Sequence, residues 1–257
     1  MLEEYGSSTL TPIERARQRA DMANRTPGKL EGADCPLCLN RGYFWRVDDE
    51  GTTWTEDCSC MAKRRSLRLI KASGLGELLS RYTLANWQAA EPWQAKIAKM
   101  ITDFAAEPNG WVYISGRPGT GKTHLCTALC GELMDRGLAV RYLLWRDFSV
   151  RAKSLVGEAE EYRALLEPLK SVRVLYIDDL FKAGRGSPPT QADINLAFEL
   201  INARYNDARL ITIISSETSL KKLTEEIDEA LGSRIYERSK GHCVDLAGRA
   251  NWRLRND

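Results

Sequence analysis

The sequence lacks any run of about 18 consecutive apolar residues, the length that a membrane-crossing helix requires. Its first twenty residues, MLEEYGSSTLTPIERARQRA, also lack the apolar stretch of a secretory signal. These two absences exclude a membrane-spanning class and set the expectation of a soluble, cytoplasmic protein with no membrane partner. Charge of one sign is scarce as well: 37 Lys and Arg against 35 Asp and Glu leave a formal charge of +2. Any contact with nucleic acid must then come from local patches and not from a generally basic surface. There is no internal repeat and no low-complexity tract, so nothing points to a solenoid or a long biased segment.

Apolar residues are plentiful enough for a core. They make up 43% of 257 residues, which fits one domain of ordinary size and a small appendage. Seven cysteines would suggest disulfides in a secreted chain, but a cytosolic setting keeps thiols reduced and favours metal ligation or burial. Cys35 and Cys38 precede the stretch GYFWRVDDEGTTWTEDC, and Cys58 and Cys60 stand at its end. Its two aromatic, strand-like runs around an acidic glycine turn predict a β-hairpin. Two short turns brought together by a hairpin offer four thiolates at the ~2.3 Å that tetrahedral Zn2+ takes. The spacing is that of a known four-cysteine zinc pattern with one residue fewer in the second pair. A unit this short has too little core to fold unaided, so the metal is expected to decide its folding.

Along the chain, residues 1–30 read as an N-terminal polar arm, helix-capable over 11–25 but with almost no apolar face, and hence flexible or partner-docking. Residues 31–62 form the zinc-binding domain, and 63–90 a basic linker helix region with Lys63, Arg64, Arg65, Arg68 and Lys71 and no acid before Glu77. Residues 91–257 form the large domain, opened by a helix that places Trp93, Ile97, Met100, Ile101 and Phe104 at helical spacing. Within it the apolar runs at 111–115, 140–144, 172–178, 209–215 and 242–246 alternate with helical stretches. Near-continuous apolar strands separated by helices predict an α/β fold, a five-stranded parallel sheet covered by helices on both faces. Cys126, Cys130 and Cys243 are read as small core residues.

The run Gly116-Arg117-Pro118-Gly119-Thr120-Gly121-Lys122-Thr123 fits G-x-x-x-x-G-K-S/T after a strand and before a helix. Glycines let backbone amides turn inward onto phosphate oxygens, Lys122 offers a point charge to the outer phosphates, and the Thr123 hydroxyl suits Mg2+. His124, next in the run, is counted with the cradle and read as a first-turn helix residue that packs or hydrogen-bonds locally. The third strand ends in Asp178-Asp179. An acid delivered beside a phosphate loop can hold Mg2+ and a second can orient the attacking water, roles given to Asp178 and Asp179 respectively. After the fourth strand Ser215, Ser216 and Glu217 stand where a γ-phosphate sensor belongs, and Arg234 and Arg238 lie on a late helix from which an arginine can reach a neighbouring subunit's nucleotide.

Taken in order, GRPGTGKTHL, LYIDDL, TIISSETSLKKL and EALGSRIYERS resemble the AAA+ helicase loaders of the DnaC/DnaI type and the related IstB-like transposition ATPases, over roughly residues 85–255. The resemblance implies an ATP-regulated AAA+ domain without the usual helical lid, assembling into a spiral that holds a replicative helicase of the DnaB type and single-stranded DNA. By position, Lys122 and Thr123 match the phosphate and Mg2+ ligands, Asp178 the metal-directing acid, Asp179 the hydrolytic acid, Glu217 the sensor and Arg234 the arginine finger. It departs from the wider superfamily at two positions. Asp179 stands where Glu is usual, one methylene shorter, which implies slow, partner-stimulated hydrolysis. Glu217 stands where Asn is common, and an acid there repels a γ-phosphate unless protonated or turned away. The N-terminal cysteines resemble the zinc-binding region with which DnaI-like loaders contact the helicase. The basic run 63–71 and LLWRDFSVRAKSLVG, with Arg146, Arg151 and Lys153 beside Trp145 and Phe148, are the expected DNA contacts. The rival readings are a transposition ATPase assembling on duplex DNA and a non-hydrolysing, nucleotide-gated adaptor.

Overall fold

The computed structural model describes residues 10–72, 76–182 and 188–254, and the chain divides into two units, 1–65 and 66–257. The first unit opens with α1 (Pro12–Arg25), whose cap is reciprocal: the Glu14 amide donates to the Thr11 hydroxyl at 3.2 Å and the Thr11 amide to the Glu14 carboxylate at 2.7 Å. β1 (Tyr43–Val47) pairs antiparallel with β2 (Thr53–Asp57), from Tyr43 opposite Asp57 to Val47 opposite Thr53. The hairpin is therefore where the sequence placed it.

The arm differs from its expectation. Its described part, α1, is folded against the hairpin, with Ala16 and Ala20 buried. The Asn24 side chain brackets Trp45, donating to its carbonyl at 2.9 Å and accepting from its amide at 2.9 Å. The Arg41 guanidinium donates to the carbonyls of Ala23, Asn24 and Thr26 at the end of the helix. A helix with little apolar surface is held by side chains that satisfy its terminal carbonyls. The first nine residues of the arm lie outside the described residues.

α2 (Cys60–Ala72) starts in the first unit and ends in the second. The second unit continues with α3 (Gly76–Arg81), α4 (Pro92–Ala106), β3 (Val112–Ser115), α5 (Lys122–Asp135), β4 (Val140–Leu144), α6 (Trp145–Ser154), α7 (Ala159–Ser171) and β5 (Val174–Leu180). It ends with α8 (Gln191–Tyr205), β6 (Ile211–Ser216), α9 (Leu220–Lys222) running into a π-helical turn, α10 (Glu229–Arg238) and β7 (Cys243–Asp245). All strand pairings in the sheet are parallel, in the order β4-β5-β6-β3-β7. The five runs read from the sequence are these five strands, each starting or ending within two residues of its expected place. No helix among the described residues is long and apolar enough to cross a membrane.

The alternation of a strand sorts its side chains between two core layers. Val112, Ile114, Val174, Tyr176 and Ile213 meet Ile97, Phe104, Leu125 and Leu129 of α4 and α5. Tyr113, Leu175, Ile177 and Ile214 meet Phe148, Leu166, Leu200 and Ile235 of α6, α7, α8 and α10. Several described residues of the stretch read as a linker join the first layer: Ile70 is fully buried, Leu67, Leu78, Leu84 and Trp87 pack on that layer, and the Ser66 hydroxyl accepts the Val140 amide at 2.8 Å. The buried Arg204 fastens the opposite layer, donating to the carbonyls of Leu169, Val172 and Ile211 at 2.7–2.9 Å and to the Thr212 hydroxyl at 3.0 Å.

Candidate functional site

The loop between β3 and α5 can turn as tightly as it does because its glycines take conformations that side chains reject. Gly121 has φ 94°, and a Cβ on it would lie 2.8 Å from the Trp87 ring. Gly121 also caps α5, so the helix begins at Lys122 with its free amides and positive dipole end facing the loop. Lys122 is 6% exposed and donates from Nζ to the carbonyls of Gly116 and Arg117 at 2.7 and 3.0 Å. Burial lowers its pKa, while the charges of Asp179 and Glu217 oppose that change.

A cavity of about 220 Å3 lies over this loop, lined by Pro118, Gly119, Thr120, Gly121, Lys122, Thr123, His124 and Asp179. Gly116 supplies a carbonyl to Lys122 from beneath. Asp178 does not line the cavity. It is 5% exposed, and its carboxylate accepts from the hydroxyls of Tyr176 at 2.7 Å, Tyr142 at 3.1 Å and Ser215. Ser215 also accepts the Asp179 amide at 2.9 Å, so one serine of β6 fixes both acids of β5. Between Ile177 and Leu180 the pairing of these strands slips, and Asp179 takes φ 55°, which turns its side chain out toward the cavity. Its Oδ2 is 2.9 Å from Lys182 Nζ, which is also 2.9 Å from Glu217 Oε1.

The other walls were not legible as site residues. Tyr82, Asn86, Trp87 and Gln88, from a stretch read as linker, line one side; Trp93 and Gln94 of α4 line another, and Ala250, Trp252 and Arg253 a third. His124 joins the first wall to the cradle: Nε2 lies 2.9 Å from the Thr83 carbonyl oxygen, its ring stacks on Tyr82 at 4.9 Å, and Trp87 meets it edge-on at 5.1 Å. Burial lowers the His124 pKa, which favours the neutral ring. The packing role read from the sequence is the one His124 has here. A cluster of aromatics around a phosphate loop suits a flat, apolar nucleobase.

The two late arginines do not line the cavity. Arg234 stacks over Phe198 at 4.9 Å and donates to Asn202 at 3.0 Å, while Arg238 donates to the carbonyls of Ala208 and Leu210 and lies 5.6 Å from the centre of the buried Trp111 ring. The expected stacking of DNA bases on Trp145 and Phe148 is corrected, because both rings are core residues, 2% and 6% exposed. Arg146 and Arg151 remain exposed, whereas Lys153 is paired with Asp193 at 2.8 Å. In the first basic run Arg64 is 4% exposed and committed to Asn40 and the Glu31 carbonyl. Cys126 and Cys130 are buried as expected, but Cys243 is exposed, since its strand is an edge of the sheet.

In the first unit the sulfurs of Cys35, Cys38, Cys58 and Cys60 lie within 4.8 Å of one another. Two of the separations, Cys35 to Cys58 and Cys38 to Cys60, are 3.7 and 3.6 Å. Four sulfurs at ~2.3 Å from a tetrahedral ion would be about 3.8 Å apart, so the donor set has the dimensions such an ion requires. Burial opposes ionisation of Cys38, but the Gly42 amide and the neighbouring thiols outweigh it and bring its pKa to about 7. Burial pushes Cys60 up to about 12.

Comparison with known proteins agrees with this geometry. The profile of the family described as IstB-like ATP binding protein matches residues 55–257. The phage-like element PBSX protein XkdC of Bacillus subtilis is 32% identical over 227 residues, 84% of each chain. The replicative helicase loader DnaC of Escherichia coli K12 is 26% identical over 179 residues, 67% of this chain and 69% of its own. A crystal structure of the DnaC helicase loader superposes with a TM-score of 0.57 at 23% identity, covering 66% of this chain and 98% of that one, a likeness of fold. With a family match over most of the chain, residues 55–257, and the G-x-x-x-x-G-K-T loop between β3 and α5, the chain belongs to the IstB-like ATP-binding family and is a P-loop ATPase.

Proposed function

We propose that this protein is an ATP-dependent loader that holds a replicative helicase of the DnaB type and delivers its ring to single-stranded DNA in the cytoplasm during the initiation of replication. One observation carries the reading: a phosphate cradle with Asp179 turned into the same cavity, in a chain similar over two thirds of its length to a replicative helicase loader. The loop amides of Gly119, Thr120 and Gly121, Lys122 and the start of α5 would receive the phosphates, and the Tyr82, Trp87 and Trp93 walls would take adenine. Oxygen donors suit Mg2+, for which Thr123 supplies a hydroxyl and Asp178, already held by three hydroxyls, a fixed negative charge behind the loop. The ion, when bound, neutralises charge on the outer phosphates. Asp179 accepts the proton of the attacking water, and Arg234 would act on a neighbouring subunit's nucleotide in a spiral oligomer. Both late arginines are held within their own fold, Arg234 by the Ala230 carbonyl and Asn202 and Arg238 by the carbonyls of Ala208 and Leu210, so Arg234 is chosen on the sequence resemblance and not on its contacts.

The four-cysteine cluster would hold Zn2+ and shape the first unit as the surface that grips the helicase. Exposed Arg146 and Arg151 on α6 are the remaining candidates for single-stranded DNA, through phosphate charge and without base stacking. The test is reconstitution with candidate helicases, with and without ATP. A stable complex released on ATP turnover, and lost in Lys122→Ala, is the expected result. ATP-dependent filaments on duplex DNA with no helicase complex would replace this reading with the transposition ATPase. Release that survives Asp179→Ala and fails in Lys122→Ala would replace it with a non-hydrolysing adaptor.

A further inference from the structure

The position of Lys182 has no counterpart in the motifs that identify the site. Its ammonium stands between the carboxylates of Asp179 and Glu217, 2.9 Å from an oxygen of each, and it lines the same cavity as Lys122 and Thr123. The two acids come from neighbouring strands, Asp179 within β5 and Glu217 just after β6, so this one lysine ties the ends of both together. Its placement is built into the backbone. The Lys182 amide donates to the Asp179 carbonyl at 2.9 Å, closing a turn in which Asp179 and Phe181 both have positive φ, 55° and 61°. A left-handed Phe is disfavoured, and here it is held by its ring, 7% exposed and packed edge-on to Trp145 at 5.6 Å. The turn is thus anchored in the core on one side and presents Lys182 to the cavity on the other.

We propose that Lys182 is a positioning residue of the ATPase site: it orients Asp179 for the attacking water and cancels the charge of Glu217, so that an acid can occupy the sensor position beside a γ-phosphate. The proposal rests on the nucleotide reading of the cavity and answers the question raised by Glu217, which does not itself line the cavity and meets it through Lys182. Asp178, Asp179 and Glu217 bring three negative charges and Lys122 and Lys182 two positive ones; removing Lys182 leaves the triphosphate facing a site with a further unit of negative charge. Burial works against the Lys182 charge, but the two carboxylates outweigh it and raise its pKa, so the lysine stays protonated across the working range. The effect should fall on ATP more than on ADP, because the γ-phosphate is the group nearest the acids of a P-loop site.

The experiment compares the full-length wild type, Lys182→Met, Lys182→Arg, Glu217→Gln and the double variant Lys182→Met/Glu217→Gln for Mg-ATP and Mg-ADP affinity and single-turnover hydrolysis. Lys182→Met is expected to weaken ATP at least about tenfold more than ADP and to slow hydrolysis. Adding Glu217→Gln should return ATP affinity to near the wild-type value while hydrolysis stays slow, since Asp179 remains unheld. Lys182→Arg should keep both properties in large part. Equal losses of ATP and ADP that Glu217→Gln does not rescue would show a lysine that serves only the fold, and overturn the proposal. So would a Lys182→Met protein that binds and hydrolyses as the wild type does. If Lys182→Met does not fold, comparing the double variant with Glu217→Gln asks the same of hydrolysis: slower turnover at equal ATP affinity supports the proposal, and equal turnover overturns it. A wild type with no ATP affinity would instead remove the nucleotide reading itself, a result distinct from all of these.

Discussion

Among the described residues of the first unit, the buried apolar set consists of Ala16, Ala20 and the four cysteines, whereas the second unit buries two full layers of aliphatic and aromatic side chains on either face of its sheet. In the first unit's hairpin β2 is exposed at every position and β1 is at most half-buried. Its shape is set by polar side chains that satisfy backbone groups, Asn24 of α1 at Trp45, Arg41 at the end of α1, and Asn40 with Arg64 around the first cysteine turn. The second unit follows the ordinary rule that removing apolar surface from water supplies most of the driving force. Within one chain, then, one region can fold on its own hydrophobic credit and the other has almost none.

The widest separation of the two should come from chelation. On the proposal that the four cysteines hold Zn2+, treating the full-length protein with chelator is expected to unfold residues 10–65 outright, as structural zinc supplies an apparent ~10–16 kcal/mol in small zinc units. Hydrogen exchange would report it: amides of β1 and β2 should lose protection while those of β3, β5 and β6 keep theirs, and equal protection with and without chelator would break the contrast. The next effect belongs to the second unit. Arg204→Met would leave the carbonyls that this guanidinium satisfies unpaired in the core and should cost about 3–5 kcal/mol. Thermal unfolding should show the loss in the sheet transition alone. The smallest effect sharpens the picture of the first unit: Thr11→Ala removes the cap of α1 and should cost about 1 kcal/mol. In a unit with so little buried surface that should still be visible as increased exchange in α1, and an unchanged rate would mean that Asn24 and Arg41 alone hold the helix.

The same contrast governs what could be read from the sequence. The three inner strands β3, β5 and β6 were legible because they are buried on both faces and therefore almost continuously apolar, the edge strands β4 and β7 by their place in the alternation with helices, and the cradle because its spacing follows directly from phosphate geometry. The cysteine cluster was legible for a similar reason. Features made by distant residues were not. Arg204 looks like any helical arginine until α7 and β6 bring four acceptors to it. Trp145 and Phe148 sit among basic residues and read as surface aromatics, yet α6 turns them inward against Phe181 and its neighbours. The polar arm read as flexible or partner-docking because helical periodicity counts only apolar faces, and α1 is held by hydrogen bonds to groups 17–21 residues away, the Arg41 side chain and the Trp45 backbone. The cavity walls at 82–88 and 250–253 carry no motif, and only the fold brings them to the cradle.

Three of the seven tryptophans, Trp87, Trp93 and Trp252, border the cavity. Trp87 abuts Gly121, and the Trp252 amide rests on the Gly119 carbonyl at 2.9 Å. Indole emission responds to neighbouring charge and to solvent, so the molecule carries its own optical reporter of occupancy and needs no dye. Replacing each indole by phenylalanine in turn would tell which wall a ligand touches first.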